Sequence, residues 1–100
     1  MASIHVNGID LYYEVHGSGM PLVMLHGNGE DHTTFSTLCA ALQDRFQIFL
    51  FDTRGHGKST PVSEYHYSDM AQDMTEALIQ LFDGPIDLLG FSDGGIIPLF

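Results

Sequence analysis

The chain predicts an α/β fold, a mostly parallel sheet begun by an antiparallel hairpin and interleaved with helices. Nearly unbroken apolar runs, Leu22-Val23-Met24-Leu25, Phe46-Gln47-Ile48-Phe49-Leu50-Phe51 and Ile86-Asp87-Leu88-Leu89, each end in a glycine-containing polar segment, as expected of strands covered on both faces. Segments with helical apolar spacing lie between these runs, which is the alternation that builds a parallel sheet. Residues 3–16, by contrast, alternate apolar and polar around Asn7-Gly8, a dipeptide that favours the tight turn of a β-hairpin.

Taken in order, the hairpin opens the sheet and residues 22–25 form the first buried strand. That strand runs into His26-Gly27-Asn28-Gly29-Glu30-Asp31, where glycines alternating with polar residues let the backbone turn sharply and present N–H groups outward. A helix is expected from about Thr33 to Gln43, capped by Thr33 or Thr34, with Phe35, Leu38, Cys39 and Leu42 along one face. The strand at 46–51 leads into Asp52-Thr53-Arg54-Gly55-His56-Gly57-Lys58-Ser59. After a polar loop at 60–67 that carries no assignable motif, Ser68 is placed to cap a helix from Asp69 to about Phe82. Met70, Met74, Ala77, Leu78 and Leu81 gather on its inner face, and Asp69, Asp73 and Glu76 fall near its start. A turn at Asp83-Gly84-Pro85 launches the strand at 86–89.

That strand ends in Gly90-Phe91-Ser92-Asp93-Gly94, the G-x-S-x-G pattern of a serine held on a sharp strand-to-helix turn. The chemistry needs glycine on both sides. Strained backbone lifts the serine oxygen clear of the sheet, and a side chain two positions away would strike the neighbouring strand or helix. The Asp93 N–H opens the following helix, where free donors and the positive end of the helix dipole can hold a developing oxyanion. Taken alone, the segment also reads as an ordinary turn with a capping serine. The strand before it and Ile96, Ile97, Leu99 and Phe100 after it supply the strand, turn and helix order that the catalytic reading requires.

H-G-x-G, D-x-R-G-x-G-x-S and G-x-S-x-G, in this order and spacing, resemble the N-terminal portion of the α/β-hydrolase family over essentially the whole chain. The resemblance implies Ser92 as nucleophile and the backbone N–H groups of Asn28 and Asp93 as an oxyanion hole. It makes the 52–57 loop structural, with Arg54 pairing to a carboxylate and His56 a loop residue rather than a proton carrier. His26 reads as a structural imidazole tying down loop carbonyls, since in this kind of sheet the triad histidine comes last in the chain. Serine in the nucleophile slot argues against the epoxide-hydrolase and haloalkane-dehalogenase branches, which use aspartate there. A domain of this family runs to roughly 250 residues. Residues 1–100 are therefore expected to be the N-terminal part of one such domain, truncated after the elbow, inactive alone for want of the triad Asp and His. The strand ending at Gly90 would be central in the family's order, and here would leave an uncovered apolar edge. The expected activity is that of a serine hydrolase acting on a small-molecule carboxylic ester through an acyl-enzyme. The alternatives are C–C bond or other acyl hydrolysis on the same scaffold, and a non-catalytic protein that binds a ligand in the same pocket.

Composition narrows the class. Thirteen acidic against three basic side chains give a net charge of −10, which disfavours nucleic acid and anionic membrane as partners. No run is long enough to cross a bilayer, and the start Met-Ala-Ser-Ile-His lacks the basic and apolar regions of a secretory signal, so a cytoplasmic location is expected. Cys39 is the only cysteine and excludes an internal disulfide; on an apolar helix face it reads as a buried thiol. The six histidines show neither i, i+4 pairing on a helix nor zinc-finger spacing with cysteine, so neither metal nor other cofactor is expected.

Overall fold

The structure, a computed structural model, describes residues 2–64, 66–84 and 86–90. Ser92, Asp93 and the helix expected after them lie outside the described residues.

Five strands form one sheet: β1 (Ala2–Val6), β2 (Ile9–His16), β3 (Met20–Leu25), β4 (Phe46–Phe51) and β5 (Asp87–Gly90), in the spatial order β1-β2-β4-β3-β5. The first two make the expected hairpin, Val6 opposite Ile9. Asn7 and Gly8 take φ of 48° and 80°, the two positive angles of a type I′ turn whose twist matches that of the strands. β2 is antiparallel to β4, while β3 is parallel to both β4 and β5.

Between β3 and β4 lie a 3₁₀ turn (His32–Phe35) and α1 (Ser36–Leu42); α2 (Tyr67–Leu81) joins β4 to β5. The first crossover steps from β3 to one neighbour and the second returns past β3 to its other side. Right-handed crossovers run in opposite directions leave their helices on opposite faces. The packing agrees. Leu22, Met24, Ile48 and Leu50 bury against Phe35 and Cys39 on one face, and Val23, Leu25, Phe49 and Phe51 bury against Met70, Met74 and Ala77 on the other. Alternation along β3 and β4 thus feeds two cores, which is why both strands read as continuous apolar runs rather than alternating ones.

Both helices differ from expectation at their starts. The first opens as a 3₁₀ turn whose cap is Asp31, not Thr33 or Thr34: the Asp31 carboxylate accepts from Thr33 N at 2.8 Å. Asp31, two residues ahead of Thr33, wins because its carboxylate reaches the free Thr33 amide while its own backbone stays extended. Leu38, expected on the buried face, is 40% exposed, because the helix is short and its inner stripe is only Phe35, Cys39 and Leu42 wide. The second helix begins at Tyr67, with His66 at the cap position and no side-chain cap bond. Ser68 is therefore inside the helix rather than ahead of it.

Candidate active site

β3, β4 and β5 run parallel with Leu25 beside both Phe51 and Gly90. Their C-terminal ends are level, so the loop at 26–31, the loop at 52–59 and the chain leaving Gly90 all emerge at the same edge of the sheet. In open α/β sheets this is the edge where ligands bind.

The 26–31 loop is built around one tight turn. Glu30 N–H donates to Gly27 O at 3.2 Å, and Gly29 at the third position takes φ +78°, an angle that a side chain would strain. The Glu30 carboxylate reaches back to accept from Gly27 N at 2.7 Å. Asn28, the expected oxyanion donor, sits at the second turn position and is exposed. A trans peptide puts its C=O and N–H on opposite sides, so with Gly27 O turned toward Glu30 the Asn28 N–H faces out of the turn.

His26 holds the foot of this loop. It is 2% exposed; its Nδ1 donates to Gly27 O at 2.7 Å and its Nε2 accepts from Thr53 N at 3.1 Å. Burial pushes the imidazole below its ordinary pKa, since desolvation penalises the charged form. His26 thus does what its place beside the glycines predicts and ties down a loop carbonyl.

The 52–59 loop wraps a buried carboxylate. Asp52, fully buried, accepts from His32 N (2.6 Å), His32 Nδ1 (2.9 Å) and Lys58 N (2.9 Å). A Cβ on Gly57 would lie 2.2 Å from Asp52 Oδ2, so only glycine lets the backbone pass. Arg54 grips Asp73 of α2 with two bonds, Nε to Oδ2 at 2.6 Å and a terminal nitrogen to Oδ1 at 2.8 Å, and Asn7 adds a third at 3.1 Å. This is the carboxylate partner expected for Arg54. His56 is buried, its Nε2 accepting from Gly29 N at 3.0 Å and its Nδ1 donating to Arg54 O at 3.0 Å. Its lone pair faces a backbone amide, in keeping with a loop role.

Sequence spacing missed a second polar group that the fold assembles around His32. Glu14 on β2 accepts from the Tyr12 hydroxyl and lies 3.0 Å from His16 Nε2 and 3.2 Å from His32 Nε2. The bond to Glu14, with burial, pushes the Tyr12 pKa up to about 12; the same bond, then His16, holds Glu14 below the usual carboxylate range. Asp31, His32 and Asp52 also bring ligand-type atoms within 4.8 Å of one another. These atoms are engaged in hydrogen bonds within the loops, Asp31 as a cap and His32 on Asp52. The signal in the sequence was only that Asp31 and His32 adjoin a glycine turn, which says nothing about β2.

Between the two loops lies an open polar cleft of about 520 Å³, lined by residues that include Gly29, Glu30, Asp31, Gly55 and His56. Gly29, the residue after Asn28, and His56 thus stand on its wall. Among the described residues, no helix is long and apolar enough to cross a membrane.

Known proteins share this arrangement. An esterase from Exiguobacterium antarcticum is 40% identical with a TM-score of 0.87, over 94% of this chain and 36% of that one. A thermophilic esterase from Thermogutta terrifontis is 30% identical with a TM-score of 0.84, over 96% and 36%. A soluble epoxide hydrolase from a Corynebacterium species is 30% identical over 95% of this chain and 34% of its own length. The chain spans 37% of the length of the first two curated relatives it matches. The family model described as alpha/beta hydrolase fold matches residues 20–99, and with the level strand ends and the two wrapped loops it shows that the chain belongs to the alpha/beta hydrolase fold family.

Proposed function

We propose that this chain is the N-terminal part of a single serine hydrolase domain that cleaves small carboxylic esters through an acyl-enzyme on Ser92. The observation that supports it most is the register of β3 and β5, Leu25 opposite Gly90. Asn28 lies three residues past one strand end and Ser92 two past the other, and adjacent strands are about 5 Å apart. A nucleophile and a backbone donor leaving neighbouring parallel strands at one edge is what acyl transfer needs, the Asp93 N–H completing the oxyanion hole. Serine in the slot favours acyl over epoxide chemistry, and two of the similar structures are esterases. A His and an Asp or Glu from the rest of the domain would serve as general base and its orienting acid. No cofactor enters the proposal, and a cytoplasmic location is part of it.

A fluorophosphonate probe tests the proposal on the complete enzyme. Ser92 is expected to carry the adduct by mass spectrometry, and Ser92→Ala to abolish both labelling and ester turnover. Labelling at another serine, or none in a folded protein, overturns it.

A further inference from the structure

The residues on either side of Asn28 are joined underneath the loop by a chain of side-chain hydrogen bonds. Gly29 N–H donates to His56 Nε2 at 3.0 Å. His56 Nδ1 lies 3.0 Å from Arg54 O and 3.2 Å from Thr53 Oγ1; a carbonyl only accepts, so Nδ1 carries the proton. Thr53 Oγ1 is 3.3 Å from His26 Nε2. His26 Nδ1 faces Gly27 O at 2.7 Å and is protonated for the same reason, which leaves Nε2 the acceptor and the Thr53 hydroxyl the donor. The links run in one direction, from Gly29 N–H through His56, Thr53 and His26 to Gly27 O, with the Thr53 hydroxyl sharing the His56 Nδ1 proton with Arg54 O at 3.0 Å and the His26 Nε2 lone pair with Thr53 N–H at 3.1 Å. The two ends are the peptide groups immediately after and before Asn28.

We propose that His26, Thr53 and His56 form a positioning relay that fixes the Asn28 N–H as an oxyanion donor, and that it holds only while both imidazoles are neutral. The proposal rests on the assignment of Asn28 to the oxyanion hole. Gly27 O shares a peptide plane with the Asn28 N–H, so the His26 bond sets that plane directly. The Gly29 bond sets the next plane, and together they restrain the peptide groups on both sides of Asn28. Protonating His56 puts an N–H where Gly29 N–H needs a lone pair, and protonating His26 does the same to Thr53 N–H. The rings stand 5.0 Å apart, so a charge on one opposes a charge on the other. Asp31 and Asp52 act on His26 in the opposite sense, Glu30 and Asp31 share the cleft wall with His56, and Arg54 with Asp73 lies on the α2 side. Burial decides for the neutral form at His26.

The test uses the complete enzyme. Thr53→Val removes the central hydroxyl without changing shape, and His56→Leu removes the acceptor. Each is expected to lower kcat about 10-fold, short of the roughly 10²-fold lost when an oxyanion donor is deleted, with KM within about twofold. His56→Gln, whose Oε1 can accept from Gly29 N, is expected to recover most of kcat. A ¹⁵N–¹⁵N coupling across the Gly29 N–H···Nε2 bond is expected at pH 8. Unchanged kcat in Thr53→Val and His56→Leu, while Ser92 still labels, overturns the relay and leaves the hydrolase reading standing. Absence of the coupling at pH 8 overturns the relay as well. Failure of Ser92 to label in the wild type overturns the hydrolase reading instead.

Discussion

A single carboxylate shows how much of this site is side chain standing in for backbone pairing. Asp52 follows β4 where strand hydrogen bonding stops, and its two oxygens take up the amides of His32 and Lys58, the first of them a buried group that would cost about 1–3 kcal/mol if left unpaired. His26 does the same for Thr53 N–H, and only when neutral. Its folded pKa lies below the unfolded value of about 6.5, so the unfolded state binds the proton more readily. Its contribution to stability is present above about pH 6.5 and is lost as pH falls through the lower, folded value. Urea midpoints of the complete protein are expected to fall with acidification through that window, and to fall less in His26→Gln. A variant with an unchanged pH dependence would assign the loss to other groups. The sequence made His26 legible as a loop anchor because it sits against glycines at a strand end. It could not show that Gly29 pairs with His56, because a backbone amide bonded to a side chain 27 positions away leaves no periodic trace.

At the scale of elements, the strands were legible almost to the residue and the helix starts were not. Strand ends are marked by glycines and by the change from apolar to polar, whereas Asp31, Thr33 and Thr34 all offer a capping oxygen and only the chain path chooses among them. The partner of Arg54 could be foreseen as a carboxylate, but α2 carries Asp69, Asp73 and Glu76 and the fold selects Asp73, which is 1% exposed. This pair is the main polar tie between the 52–59 loop and α2. Arg54→Ala leaves Asp73 buried and uncompensated and is expected to cost about 3–5 kcal/mol. Arg54→Ala combined with Asp73→Leu is expected to recover much of that loss, because replacing both partners removes the buried charge. Thermal or urea denaturation of the two variants measures the difference, and equal losses in both would show that the pair does not act as a unit.

Across the whole molecule, the described sheet has one guarded edge and one open one. β1 is capped by polar, exposed residues at Ser3 and His5, but β5 stands last on the other side with Leu88 and Leu89 40% and 36% exposed. Unpaired strands of this kind recruit other chains. Residues 1–100 expressed alone are expected to associate with concentration in analytical ultracentrifugation, despite a net charge of −10, and Leu88→Lys is expected to move the distribution toward monomer. A monomer at every concentration would mean that the edge is covered.

The position of β5 against β3 also bears on the order of assembly. The hairpin and the β3-α1-β4 unit each join neighbours in the chain, whereas Leu25 and Gly90 are separated by nearly two thirds of it. Long loops are closed at an entropic cost that short-range contacts do not carry. The loop of Asn28 is therefore expected to gain its floor from β4 and the 52–59 loop early in folding, and to meet the strand that leads to Ser92 only late. A polypeptide emerging from the ribosome would reach the same point in the same order, the loop of Asn28 shaped before the strand that leads to Ser92, the proposed nucleophile, has been brought alongside.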